Sequence, residues 1–372
     1  MRIYLDARNI TAQPAGVARY AKSLIPELCA QAPEHDFVVI RHRSNMQPLM
    51  PGRVPWREVF LEQHIGKVRD VALGARALFG AFRDMGRPDV YHNLFHISPL
   101  GVSASGARHV VTLHDFIWVD HPLQSQGALH KAAWVWAFGR TSIAQTIKNA
   151  DRVIAISDAT SQRAQQWISP KKIHVIGHGV EEKYYDSYPA PELPWSEDAG
   201  YILGIANDKP YKNLELVIDA FHQARGALPG VRLVLVGRCD GLRKKIQRLG
   251  LSSRVHLPGH LSEEQLLRLL HHARAFVYPS LVEGFGLPPL EAMAMGVPTI
   301  TSDLDPMRHV VGQGALVVDP HDAQALARTF EQLWHDEQLV SRLRQAGPQR
   351  ARQWSWARTA RQTLEVYKGL HY

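Results

Sequence analysis

The run Ala275-Phe-Val-Tyr-Pro-Ser-Leu-Val-Glu-Gly-Phe-Gly-Leu-Pro-Pro-Leu-Glu-Ala-Met-Ala-Met-Gly-Val-Pro-Thr-Ile-Thr-Ser302 decides the fold. Residues 275–279 are apolar and β-branched or aromatic, which predicts a buried strand. Pro288 and Pro289 suit the first turn of a helix, and Gly296 with Pro298 closes it before a second apolar strand at Thr299–Ser302. Two apolar strands joined through a helix belong to a parallel sheet covered on both faces. The same alternation runs outward in both directions. Strands are expected at 2–7, 36–41, 56–61, 89–92, 109–113, 152–157 and 173–177, then at 201–206, 232–237, 254–257, 275–279, 299–302 and 316–319. Helices are expected at Lys212–Arg225, Glu263–Ala273 and Leu290–Met295 among others.

The stretch from Tyr188 to Asp198 holds three prolines and no periodicity, and reads as a linker between two α/β domains. The chain has 372 residues, a length that also favours two domains. No apolar run approaches the ~18 residues of a membrane-spanning helix. The two cysteines, Cys29 and Cys239, fit no disulfide framework or metal spacing, so a soluble cytoplasmic protein is expected. The net charge of +8 is uneven: residues 1–190 carry 22 Lys/Arg and 16 Asp/Glu. A basic first half suits a phosphorylated ligand, an anionic lipid surface or plain solubility. Nucleic acid is disfavoured, because the cations are scattered and lack interleaved aromatics.

Four places could carry chemistry, each at the expected carboxyl end of a strand. Glu283 and Glu291 flank the turn containing Gly284, Phe285, Gly286 and Leu287. Backbone amides there could meet an anion, and carboxylates are paired acceptors for sugar hydroxyls. The bland alternative is a structural strand–turn–helix. Lys209 and Lys212, in Asn207-Asp-Lys-Pro-Tyr-Lys-Asn213, could neutralise a diphosphate leaving group, or be solvated turn lysines. Gly16, in Gln13-Pro-Ala-Gly-Val-Ala-Arg-Tyr20, opens a helix and could offer its amide to a phosphate; an ordinary turn would look the same. His114 and Asp115 end the strand Val110–Leu113. Asp303 and Asp305 resemble a metal-binding Asp-x-Asp pair, but Pro306 and the lack of further hard ligands favour a turn, so no metal is expected. Trp134, Trp136 and Phe138 are expected to face a core rather than lipid.

These motifs together resemble the retaining glycosyltransferases of group 1, which have the GT-B fold. The hallmark is Glu283-Gly-Phe-Gly-Leu-Pro-Pro-Leu-Glu291, supported by Gly16 with Arg19-Tyr20, Thr112-Leu-His-Asp115, Arg152–Ser157, Lys212-Asn213 and Trp354-Ser-Trp-Ala-Arg358. The resemblance implies two doubly wound Rossmann-like domains facing a central cleft: an acceptor-side domain at 1–188, a nucleotide-sugar domain at 199–350, and a last helix at 351–372 crossing back to the first domain. It implies that Glu291 binds the ribose, Glu283 and the amides of 285–287 the donor sugar, and Lys212 the diphosphate, with Gly16 approaching it. His114 would contact the sugar near the reacting carbon, and the backbone around His260 would hold the nucleobase. Ala206 stands where many relatives have an arginine, a role Lys209 is placed to fill, and His309 stands where relatives often have a glutamate. The expected activity is metal-independent retaining transfer of a hexose, mannose or a related sugar, without a resident cofactor. A GDP-sugar is the favoured donor, and the acceptor is a glycan or lipid-linked glycan of a bacterial surface polysaccharide. Same-fold alternatives are a UDP-sugar transferase, a phosphorylase or an epimerase, and a non-catalytic nucleotide-sugar-binding subunit is an alternative of another class. Peripheral contact with the inner face of an anionic membrane would go through the basic first domain.

Overall fold

The computed structural model describes the chain apart from residues 9, 11–15, 51, 64–67, 100, 124–128, 194–199, 207–208 and 371–372. The linker residues 194–198, Gln13 to Ala15 and Asn207-Asp208 therefore lie outside the described residues. The described chain forms two compact units. One comprises Met1–Pro122, His130–Gly179 and Ser355–Tyr372; the other comprises Leu123–Leu129 and Val180–Trp354.

The first unit is built on a parallel sheet of β1 (Arg2–Asp6), β2 (Asp36–His42), β3 (Arg57–Leu61), β4 (Val90–Asn93), β5 (Arg108–Leu113), β6 (Arg152–Ala155) and β7 (Ile173–Val175), in the order β3-β2-β1-β4-β5-β6-β7. Between the strands run α1 (Gly16–Gln31), α2 (Val68–Met85), α3 (Ile117–Asp120), α4 (Leu129–Lys148) and α5 (Asp158–Ala164). The chain runs outward from β1 to β3, then resumes at β4 on β1's other side, so the order reverses between β1 and β4. Loops after these two strands diverge and leave a crevice at their carboxyl ends. The loop to Gly16 leaves from one side of that reversal, and Leu94–Ile97 from the other.

The second unit has a parallel sheet of β8 (Tyr201–Ala206), β9 (Arg232–Gly237), β10 (Val255–Gly259), β11 (Ala275–Tyr278), β12 (Thr299–Ser302) and β13 (Leu316–Val318), ordered β10-β9-β8-β11-β12-β13. Its helices are α6 (Leu214–Ala224), α7 (Arg243–Arg248), α8 (Glu263–His271), α9 (Leu287–Ala294), α10 (Met307–Val311), α11 (Ala323–His335) and α12 (Glu337–Ala351). The order reverses between β8 and β11. Helix starts are written in the sequence. Ser262 and Gln265 form a capping box on α8, with Gln265 N–H donating to Ser262 Oγ at 3.2 Å and Ser262 N–H to Gln265 Oε1 at 2.9 Å. Asp322 caps α11 by accepting from Ala325 N–H at 2.8 Å.

The last helix, α13 (Trp356–Lys368), belongs to the first unit. Its buried Trp356, Ala360, Leu364 and Tyr367 recur on one face at helical spacing and join the core that includes Ile3, Leu24 and Leu28. Burying a large apolar side chain stabilises by ~1.5–3 kcal/mol, so this face is a major part of that core. Ser355 caps the helix, accepting from Arg358 N–H at 3.2 Å. Gly179 lies against its start, where a Cβ would overlap the backbone nitrogen of Trp356, so only glycine fits.

One expectation is corrected here. Trp134 and Trp136 of α4 are 56% and 43% exposed; the core is met instead by Ile143 and Ile147, with Phe138 half-buried against it. Position along the helix explains this, not phase. Trp136, seven residues before Ile143, lies on the same side of α4, but among the described residues the buried positions of the helix begin only at Gly139, so both tryptophans sit on turns that precede the core.

Candidate donor-binding site

Lys212 and Glu283 come from different loops, yet meet at the β8/β11 reversal. After β8 the chain makes a single 3-10 turn, Pro210–Lys212, which ends at Asn213 in the left-handed conformation (φ 58°). Asparagine tolerates that conformation and adds two amide donors. Its Nδ2 donates to Pro279 O at 3.1 Å and to Pro320 O at 2.6 Å, fastening this turn to the loops after β11 and β13. Leu281 N–H and Ser280 Oγ both donate to Tyr211 O, at 2.8 and 3.0 Å. The two loops thus form one hydrogen-bonded platform.

On that platform Lys212 Nζ lies 2.5 Å from Glu283 Oε1, with the two side chains 12% and 13% exposed. Tyr278, the last residue of β11, completes a triangle: its hydroxyl accepts from Lys212 Nζ and donates to Glu283 Oε1 at 2.9 Å. Burial, reinforced by the adjacent Glu283 carboxylate, raises the Tyr278 phenol well above its ordinary range, so it remains a donor. Both bonds to Glu283 converge on Oε1. Among the described residues none bonds Oε2, which leaves one carboxylate oxygen for a ligand hydroxyl.

The turn after Glu283 is tightly constrained. Gly286 caps α9 at φ 106°, and a Cβ there would lie 2.5 Å from Met307 Sδ. Phe285 is buried with its ring edge-on to Trp354 at 5.1 Å, so only its backbone can face a ligand. Pro288 and Pro289 carry no N–H. The helix start therefore offers fewer amides than an ordinary first turn, and any anion contact falls to residues 284–287. Glu291, on the second turn of α9, is 4% exposed. Lys209 is exposed before the 3-10 turn, and His260 is exposed just after β10. An open cavity of about 540 Å³ near His260 is lined by Val234, His256, Pro258, Leu261 and Arg268, and its lining includes neither Lys212, Glu283 nor Glu291. Asp303 accepts from Arg308 Nε at 2.5 Å, an ion pair within its own turn.

In the first unit, Gly16 opens α1 and is exposed; a Cβ built on it meets nothing within 4 Å. Gly16→Ala is therefore expected to leave the melting temperature unchanged or slightly raised, because alanine is the better helix former. If its amide meets a phosphate, the same variant loses donor turnover by tenfold or more; unchanged turnover removes Gly16 from the site. His114 is buried after β5, and its Nε2–H donates to Leu94 O at 2.9 Å, in the loop after β4. That bond places the remaining lone pair on Nδ1, an acceptor for a hydroxyl. Burial lowers its pKa to about 4, so the ring is neutral near pH 7. Tyr20 packs edge-on against it at 4.9 Å. Asp115 Oδ1 accepts from Ile117 N–H at 2.9 Å and so starts α3.

Sequence reasoning passed over Tyr278. A tyrosine ending an apolar strand reads as core, and the only available signal is that a buried phenol needs a hydrogen-bond partner.

Two parallel sheets with polar clusters at their order reversals are the GT-B arrangement. Comparison with known proteins agrees: residues 14–184 match Glycosyltransferase Family 4 and residues 190–350 match Glycosyl transferases group 1, and the chain belongs to this family of GT-B glycosyltransferases. Among curated proteins it is 29% identical over 238 residues to the serotype-specific mannosyltransferase WbdA of Escherichia coli, covering 60% of this chain and 29% of WbdA. It is 34% identical over 185 residues to the O-antigen chain mannosyltransferase B of Escherichia coli, covering 48% of this chain and 47% of that protein. The matched stretch thus spans less than half the length of either relative. Among solved structures, HepE from Anabaena in complex with UDP and glucose superposes with a TM-score of 0.75 at 20% identity, covering 99% of this chain and 100% of HepE, a likeness of fold.

Proposed function

We propose that this chain is a retaining hexosyltransferase that moves mannose or a related sugar from a GDP-sugar to a glycan or lipid-linked acceptor of a bacterial surface polysaccharide, without a metal ion. The observation that carries the reading is the Lys212–Tyr278–Glu283 triangle at the β8/β11 reversal, which sets a cation beside a carboxylate. As the bond from C1 to the diphosphate oxygen loosens, negative charge grows on the β-phosphate. Lys212, Lys209 and the amides of 284–287 meet it, the task a metal ion performs elsewhere. Glu291 would hold the ribose, Glu283 a sugar hydroxyl through Oε2, and Nδ1 of His114 another hydroxyl near C1. With both glutamates engaged in binding, the acceptor attacks from the leaving-group face, and a phosphate oxygen takes its proton.

The donor preference is supported by the Asn207–Asn213 pattern and by the mannosyltransferase names of the relatives. The UDP and glucose in the HepE crystal favour UDP-glucose as a second reading. A thermal-shift screen with GDP, UDP, ADP and their sugar conjugates, with and without EDTA, separates them. Stabilisation of roughly 3 kcal/mol at a hundredfold excess over Kd, by guanine nucleotides alone and untouched by EDTA, is the expected result. Stabilisation by UDP instead moves the donor assignment, loss of the effect in EDTA refutes metal independence, and no response to any nucleotide overturns the reading.

Membrane contact would run through α4. This helix carries Lys131, Arg140 and Lys148, no acidic residue, and the exposed Trp134 and Trp136, a composition suited to an anionic lipid interface at the cytoplasmic face. Among the described residues no helix is long and apolar enough to cross a membrane. The protein is expected to sediment with anionic but not zwitterionic vesicles, and the Trp134→Ser/Trp136→Ser variant to stay in the supernatant; a variant that still sediments discards α4 as the contact.

A further inference from the structure

We propose that Tyr278 is a positioning residue that keeps Glu283 in place while donor binding draws Lys212 from the carboxylate to the diphosphate. The inference rests on the reading above, in which Lys212 serves phosphate and Glu283 serves sugar. Those two groups lie 2.5 Å apart and neutralise each other. A site built this way faces a conflict. The ion pair must open for Lys212 to reach the diphosphate, and opening it leaves Glu283 with one hydrogen bond fewer as it has to orient a sugar.

The Tyr278 hydroxyl resolves the conflict by geometry. It donates to Glu283 Oε1 at 2.9 Å independently of the lysine, so the carboxylate keeps a fixed donor when Nζ moves. Its oxygen also accepts from Nζ, which gives the ammonium a contact that does not require Oε1. Lys212 Nζ further lies 4.8 Å from the Tyr278 ring centre and 5.0 Å from that of Tyr211, so the cation can shift over aromatic faces without losing all its neighbours. The phenol itself cannot follow: the ring is buried and stacked with Phe276 at 6.2 Å, and the backbone oxygen of Tyr278 accepts from Thr301 Oγ1 at 3.0 Å. The hydroxyl is thus a fixed point between two groups that must separate.

Tyr278→Phe in the full chain tests this. A hydrogen bond to a charged group supports an expected fall of ten- to a hundredfold in kcat. KM for the nucleotide sugar and affinity for the nucleoside diphosphate alone should stay within about threefold, and a larger share of donor should be lost to hydrolysis rather than transfer. A variant with wild-type kcat and wild-type transfer-to-hydrolysis ratio overturns the proposal, as does one that loses nucleoside diphosphate affinity in parallel with kcat, which marks Tyr278 as a support for Lys212 alone. Should the variant fail to fold, a wild-type structure with nucleoside diphosphate decides: Lys212 on a phosphate oxygen with the Tyr278–Glu283 bond intact is expected, and an unbroken Lys212–Glu283 pair overturns it. Unaltered nucleotide binding and turnover in Lys212→Ala would instead refute the underlying site reading, a result separable from either outcome for Tyr278.

Discussion

Lys212→Ala is expected to lower kcat/KM for the donor by two to three orders of magnitude. Removing one preorganised donor aimed at developing negative charge commonly costs 10²–10³ in rate, and an ammonium beside a departing diphosphate is such a donor. Lys212→Arg is expected to recover little of this. The lysine sits under two aromatic rings and against a carboxylate in a space shaped for a compact charge, where a planar fork does not substitute. The variant is also expected to lose stability, because removing one partner of a pair only 12% and 13% exposed leaves Glu283 with a single bond among the described residues, from Tyr278. Steady-state transfer assays paired with melting curves check both halves. Turnover within a fewfold of wild type would remove Lys212 from the catalytic machinery, and a loss of activity that merely follows unfolding would make its role structural.

The first unit is expected to lose stability steeply below pH 6.5. His92, His96, His109 and His114 are all buried, and burial pulls their pKa values down to about 3, 3, 4 and 4; His178 is shifted the same way. In the unfolded chain each titrates near 6.5, so between that value and their folded values the unfolded state binds more protons and stability falls with pH. At pH 5.5 each costs about 1.4 kcal/mol, whatever the folded value, provided it stays well below 5.5. Four such groups withdraw roughly 5–6 kcal/mol relative to pH 8, which lowers the melting temperature of a unit this size by roughly 10–20 °C. Calorimetry from pH 8 to pH 5, with hydrogen exchange of the β4 and β5 segments to assign the transition, measures it. A melting temperature flat across that range would mean that these imidazoles are not held neutral.

Much of the architecture was legible because parallel sheets buried on both faces leave a plain signature. Runs such as Tyr201–Ala206 and Arg232–Gly237 are apolar from end to end, and each strand expected from them forms within a residue or two. The glutamate turn was equally plain, since Gly286, the proline pair and the two carboxylates each require the same strand–turn–helix. What stayed hidden depends on neighbours distant in sequence. Nothing local says that the Tyr278 hydroxyl lies between residues 66 positions before it and 5 after. The exposure of the α4 tryptophans is hidden for a similar reason: Trp136 has the helical phase of the buried Ile143, and only the tertiary fold shows that the core stops one turn short of it. The proline pair reads as a helix start, but its second consequence, the loss of two N–H groups from that turn, follows only when its place in the first turn is known.

The attachment of α13 to the first sheet has a consequence for biosynthesis. Trp356, Leu364 and Tyr367 emerge from the ribosome only after the 175 or so residues of Val180–Trp354. At about 5–20 residues per second, that interval lasts roughly 10–35 seconds. Throughout it the nascent first sheet carries an uncovered apolar surface around Ile3, Leu24 and Leu28, and His92 lacks the Tyr367 hydroxyl that meets its Nδ1 at 2.6 Å in the finished protein. The second unit, whose core is drawn from residues 202 to 343, can be complete while the first still waits for its final helix. The half of the chain translated first is therefore the half that finishes folding last, and that delay is the window in which a holdase chaperone would act.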